Sequence, residues 1–140
     1  MIILDTNVLS ELMKPRPVPQ VVAWVAQQSA TELFTTTITE AEIFYGIELM
    51  ASGKRREALL SAAEAMFTED LGGRVLGFES RSARIFSKVA AQRRALGRPI
   101  SHADAQIASI ARANRARLAT RNKSDFADCG IDVIDPWNES

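Results

Sequence analysis

Cysteine and histidine are nearly missing from this chain: Cys129 and His102 are the single representatives of their types. One cysteine cannot close an intramolecular disulfide, which fits a reducing compartment. With one histidine and one cysteine there is no zinc ligand set of the usual kind. No apolar run approaches the ~20 residues of a membrane span, and the opening MIILDTNVLSELMKPRP carries Asp5 inside its short apolar stretch, with no basic leader. Together these absences place the protein in the cytoplasm with no membrane partner. An excess of one charge is also missing: 17 basic and 17 acidic residues cancel. A zero sum neither demands nor forbids a nucleic-acid partner, because distribution outweighs total.

What is present is an ordinary globular composition, 46% apolar over 140 residues, read as one domain spanning residues 1–140. Short apolar runs alternate with longer amphipathic ones, and there is no repeat or low-complexity linker. Strands are expected at Met1–Leu4, Leu33–Thr36, Val75–Gly77, Leu118–Thr120 and Val133–Ile134. Helices are expected at Thr6–Met13, Val18–Ser29, Ile38–Ala51, Gly53–Leu71, Glu79–Leu96 and Ser101–Asn114, with a helical turn at Ser124–Phe126. Lys14-Pro15-Arg16-Pro17 and Gly97-Arg98-Pro99 are the clearest stops. Alternating strands and helices imply crossovers and a mainly parallel sheet, an α/β fold. In such sheets the ligand site lies beyond the carboxyl ends of the strands.

Four polar elements fall at that edge. Asp5 follows the apolar Ile2-Ile3-Leu4; a helix N-cap alone would explain it equally well. Glu42, in Thr39-Glu40-Ala41-Glu42, opens the third helix among apolar or small neighbours and reads as facing inward or partly inward, whereas Glu40 and Glu48 read as surface. A capping box from Thr39 to Glu42 is the plainer reading of that block. Asp104 shares a helical face with Ile107, Ala108 and Ala111, so it begins the side that packs on the sheet. Asn122 and Asp125 follow the fourth strand and both offer oxygen, with capping by Asn122 or Ser124 as the bland alternative. A buried carboxylate needs partners, and a hard cation shared by Asp5, Glu42 and Asp104 would supply them: Mg²⁺ or Mn²⁺ takes oxygen ligands.

These blocks, in this order and spacing across essentially the whole chain, resemble the PIN-domain family, and the closing Asp135-Pro136-Trp137 resembles the tail of its VapC/FitB-like branch. The resemblance implies a three-layer α/β/α domain with a parallel sheet of four to five strands in the order 3-2-1-4-5. It implies a Mg²⁺- or Mn²⁺-dependent endoribonuclease that acts as the toxin of a toxin–antitoxin pair, inhibiting translation or growth until its antitoxin neutralises it. Asp5, Glu42 and Asp104 correspond to the catalytic, metal-binding acids, and Thr6 and Thr120 to hydroxyl residues that line the site. The position usually filled by a fourth acid holds Asn122, with Asp125 one turn further on, so either completes the metal set. The expected chemistry is water activated by the metal, Asp5 and Asp104 holding the ion and Glu42 binding it or a coordinated water. That leaves no task for His102, which reads as a surface residue at a helix start.

Arg121 and Lys123 flank the site and are assigned to RNA phosphates. Arg81, Arg84, Lys88, Arg93, Arg94 and Arg98 form one basic cluster, mostly solvated helix surface; Arg112, Arg115 and Arg117 belong with Arg121 and Lys123 to a second. Leu12, Met13, Phe44, Ile47 and Met50 are more apolar residues than two short helices need inside. The resemblance assigns the surplus to a groove for the antitoxin, which can place an Arg in the acidic site, and it implies a homodimer. Two rival readings remain. A phosphotransfer domain or phosphatase would want Asp-x-Asp after the first strand, but position 7 is Asn, and Gly77 and Phe78 supply no acid at the third strand end. A non-catalytic RNA- or protein-binding module with a degenerate acidic site draws its support from Asn122.

Overall fold

The computed structural model describes residues 1–139. Its centre is β1, Ile2–Leu4, which pairs in parallel with β2 (Leu33–Thr36) on one side and β4 (Arg117–Ala119) on the other. β3 (Val75–Leu76) and β5 (Val133–Ile134) extend the two flanks, giving five parallel strands in the order 3-2-1-4-5. The expected strand order is therefore present. β1 reads Ile-Ile-Leu without polar alternation because both of its faces are covered. Ile2 and Leu4 join Val8, Leu9, Ile43 and Ile47 on one side, while Ile3, pointing the other way, joins Val89, Ile107, Ile110 and Leu118. Fully burying each of these side chains contributes about 1.5–3 kcal/mol, so three residues of β1 tie both halves of the core together.

Four α-helices supply the first side: α1 (Thr6–Leu12), α2 (Pro19–Ala26), α3 (Thr37–Glu48) and α4 (Lys54–Ala65). α5 (Ser80–Ala95) and α6 (His102–Ala113) supply the second. Their ends follow local chemistry. Pro19 sits at the first position of α2, where its missing N–H costs nothing. Ser101 caps α6 by accepting from the Asp104 N–H at 3.2 Å. The long helix expected over Gly53–Leu71 instead closes as α4 followed by a wide π-turn, Met66–Asp70. The chain leaves that turn through Gly72, where a Cβ would lie 2.5 Å from the Thr68 carbonyl oxygen; no larger residue fits there. Among the described residues no helix is long and apolar enough to cross a membrane.

One cap is corrected. Thr39 does not open α3: Thr36, at the end of β2, accepts from the Thr39 N–H at 3.1 Å, and the helix begins at Thr37. The Thr39 side chain is thereby freed and fully buried, with a different partner described next.

Candidate active site

The carboxyl ends of β1, β2 and β4 meet at Asp5, Thr6, Thr39 and Thr120. Asp5 is 5% exposed. The Thr6 N–H donates to its Oδ1 at 2.8 Å and the Thr120 hydroxyl donates to its Oδ2 at 2.7 Å. Its expected N-cap role and its place at the sheet edge are therefore compatible. Burial pushes the Asp5 carboxyl up to about 6; the two hydrogen bonds pull down against this, and the charges of Asp104 and Glu42 add to the rise. Thr6 carries the network across to α3, donating to Glu42 Oε1 at 2.8 Å and hydrogen-bonded to Thr39 Oγ1 at 3.1 Å.

Asn7, given no role by the sequence reading beyond its place in Asp5-Thr6-Asn7, closes the other side. Its Nδ2 donates to Thr120 Oγ1 at 3.3 Å and its Oδ1 accepts from the Arg121 N–H at 3.1 Å. The Asn122 N–H also donates to Thr120 Oγ1, at 3.2 Å. The Thr120 hydroxyl thus accepts from two donors while it donates to Asp5.

Asp104 is half-buried at the start of α6, and Ile107, Ala108 and Ala111 behind it are fully buried, as the helical period predicts. Its carboxyl is also raised, first by burial, then by the charges of Asp125 and Glu42, against the Ser101 hydrogen bond and the Arg93 charge. Asp5, Glu42 and Asp104 thus lie within electrostatic reach of one another. Glu42 is a correction in one respect: it is exposed rather than inward-facing. Its neighbours on α3 explain this, since Tyr45 and Leu49 are 66% and 69% exposed and mark an outward face. Among the described residues, the Thr6 hydroxyl alone hydrogen-bonds the Glu42 side chain and turns it to the site. Glu40, expected on the surface, is half-buried, whereas Glu48 is exposed and paired with Arg56.

At the fourth corner, Asn122 and Asp125 are both exposed, and Asn122 makes no side-chain cap to the turn Lys123–Phe126. Of the two, Asp125 is the group whose charge acts on Asp104. Arg121 stacks its guanidinium over the Trp137 ring, 5.1 Å from the centroid, and Lys123 is exposed beside it. His102 is exposed at the start of α6 and meets the Phe86 ring edge-on at 5.7 Å.

Arg93 is the second correction. Its basic cluster reads mostly as solvated helix surface, yet Arg93 is 5% exposed. Its Nε donates to the Arg98 carbonyl at 2.8 Å, and its Nη1 donates to the carbonyls of Asp125 and Ala127 at 2.8 and 3.1 Å. It fastens α5 to the loop that carries Asp125. Arg93 follows the buried Ser82 and Val89 at helical spacing on α5, but that period does not name its partners, two of which lie 32 and 34 residues away.

Among the described residues, no three Asp, Glu, His or Cys side chains close into a ready-made metal cluster, and none of the ion pairs includes Asp5, Glu42, Asp104 or Asp125. The charges of Glu42 and Asp104 act on Asp5, and those of Glu42 and Asp125 act on Asp104, while no ion pair among the described residues neutralises any of the four. A donor set of hard oxygens with uncompensated charge suits a divalent cation that keeps water or phosphate in its shell.

Beside the acids, a hollow of about 530 Å³ runs between α1, α3 and α4, from Thr6 and Glu42 past Met13, Ile43, Ile47 and Met50. Met13, Ile47 and Met50 line it as the surplus of apolar residues suggests; Leu12 and Phe44 pack into the core instead.

A parallel α/β/α domain with acids gathered at the carboxyl edge is a recognisable class, and the model of the PIN domain matches residues 2–130. The chain belongs to the PIN-domain family. It is 40% identical over 137 residues to a protein named VapC ribonuclease Y4jK from Sinorhizobium fredii, covering 98% of each chain. It is 32% identical over 139 residues to Toxin FitB from Neisseria gonorrhoeae, covering 99% of this chain and 100% of the relative. Its fold superposes on the crystal structure of FitAcB from Neisseria gonorrhoeae with a TM-score of 0.92 at 32% identity, covering 99% of this chain and all of that one.

Proposed function

We propose that this protein is an endoribonuclease that depends on Mg²⁺ or Mn²⁺ and acts as the toxin of a toxin–antitoxin pair. The observation that carries the reading is the uncompensated group of Asp5, Glu42 and Asp104 at the carboxyl edge of the sheet, with Asp125 acting on Asp104. Full-length relatives named as a VapC ribonuclease and as the toxin FitB support it, as does the likeness to a structure of FitAB bound to a DNA fragment.

Asp5, Glu42 and Asp104 would hold the metal, with Asp125 or Asn122 at the fourth corner. The bound cation supplies Lewis acidity, making water a nucleophile at neutral pH and offsetting charge on the phosphate. The protein's own part is preorganisation. The Thr6 N–H and the Thr120 hydroxyl fix the two oxygens of Asp5, and the Thr6 hydroxyl swings Glu42 toward the site. Because Asp5 and Asp104 are held partly desolvated with raised pKa values, they gain most from a cation when ionised. Arg121 and Lys123 at the rim meet RNA phosphates.

The apolar hollow beside Glu42 suits an amphipathic antitoxin segment, and an Arg from that segment reaching the acids would give the same neutralisation as the metal. The chain acts as one domain and as a homodimer, in the cytoplasm. Incubation of purified protein with mixed RNA tests the reading. Cleavage in Mg²⁺ or Mn²⁺ that EDTA and Asp5→Asn each abolish is expected; absence of cleavage by antitoxin-free protein would favour the non-catalytic module.

A further inference from the structure

An acidic cleft repels a polyanion, so cations beyond its rim would add to the hold on a longer RNA chain. At the opposite end of the sheet, at the amino-terminal ends of β4 and β5, lies a second hollow of about 580 Å³ whose lining includes Arg112, Arg115, Arg117 and Asp132. Three guanidiniums against one carboxylate leave it with a net charge of plus two. None of the three arginines takes part in an ion pair among the described residues, Asp132 included, and none donates a side-chain hydrogen bond there.

The hollow is shaped as well as charged. Gly130 has φ +75°, and a Cβ on it would come within 3.2–3.3 Å of the Arg112 guanidinium. A glycine at this place therefore lets that guanidinium approach the backbone closely. Arg115 takes φ 52°, the left-handed region, at the exit from α6, a position usually given to Gly or Asn. Arg112 lies in the last turn of α6, where a cation suits the helix dipole; that accounts for one of the three arginines and not for Arg115 or Arg117.

We propose that the hollow formed by Arg112, Arg115 and Arg117 is a phosphate-binding site for the RNA chain, anchoring the substrate away from the segment that is cut. This rests on the ribonuclease reading above. β4 covers about 10 Å from Arg117 to Thr120, and nucleotides rise about 3.4 Å each along a helical strand. RNA following the β5 edge therefore passes from the arginines to the acids within a few nucleotides. Contacts made here to phosphate add affinity without sequence preference.

The test is fluorescence anisotropy of labelled single-stranded RNA in the Asp5→Asn background, which stops cleavage, between 50 and 200 mM KCl. Each phosphate contact on a single strand contributes about 0.7 to the slope of log K against log salt. R112Q/R115Q/R117Q is expected to lower the slope by about 2 and weaken binding at least tenfold at the lowest salt, while R112K/R115K/R117K keeps the slope. In the otherwise wild-type chain, the glutamine variant is expected to cut a trinucleotide-length substrate normally, since that reaches the acids alone. An unchanged slope in a protein that still cleaves RNA overturns this site and leaves the enzyme reading standing. A slope lost on duplex DNA but kept on RNA overturns it equally. A wild-type chain that cleaves no RNA overturns both.

Discussion

The Thr120 hydroxyl donates to Asp5 Oδ2 across 2.7 Å, joining the ends of two neighbouring strands that are 115 residues apart in sequence. The bond keeps one carboxylate oxygen fixed and works against the burial that raises the Asp5 pKa. Thr120→Val removes the donor at nearly constant volume. A hydrogen bond to a charged group contributes about 1.5–3 kcal/mol, so RNA cleavage should fall about tenfold or more, with the acid limb of the pH–rate profile moved upward and KM little changed. Thr120→Ser should restore most of the loss, and an unmoved acid limb would count against the pairing.

Asp5 also makes stability depend on pH. Its pKa rises from the ordinary 3.8 to about 6 on folding, so between those values the native state binds more protons than the unfolded chain. Stability is then fully present at low pH and falls as pH rises toward 6, by about 3 kcal/mol from this group, with no further loss above it. Urea unfolding in EDTA from pH 4 to pH 8 reads the decline. Asp5→Asn should flatten it and be the more stable protein at pH 8; added Mg²⁺ should recover stability in the wild type alone.

The acids differ in how far they can be read from the chain. Asp5 and Asp104 are legible because their flanking periods are clean: three apolar residues before Asp5, and Ile107, Ala108 and Ala111 behind Asp104. Glu42 is legible as a site residue but not in its exposure, since α3 has Ile43 and Ile47 buried while Tyr45 and Leu49 face outward, and composition alone does not tell the two apolar faces apart. The strand order follows from the resemblance; the halving of Gly53–Leu71 into α4 and a π-turn depends on backbone packing around Gly72 that no period records.

Arg93 is the residue whose role tertiary structure alone reveals. Arg93→Met leaves the carbonyls of Asp125, Ala127 and Arg98 without this donor, and a loss of about 2–4 kcal/mol in urea unfolding is expected. Amide exchange should quicken across Lys123–Cys129 before the rest of the chain. Arg93→Lys should recover only a part, because a single ammonium cannot replace the fork of the guanidinium. Equal exchange rates in wild type and Arg93→Met would show that the loop holds itself.

Gly46 offers a way to separate antitoxin capture from catalysis. It lines the hollow between α1, α3 and α4, and a Cβ built on it meets nothing within 4 Å. Gly46→Phe should therefore fill the hollow without disturbing the core, weakening antitoxin binding at least tenfold in calorimetry while RNA cleavage by the free protein stays within about twofold. Retained antitoxin affinity would place that partner elsewhere on the surface.

Both margins of the sheet are only two residues long, Val75–Leu76 on one flank and Val133–Ile134 on the other. So short a border offers little backbone for a foreign strand to zip onto. Strand addition at either flank would therefore gain few backbone hydrogen bonds, and a chain released without its partner carries no strong template for cross-β growth at its native edges.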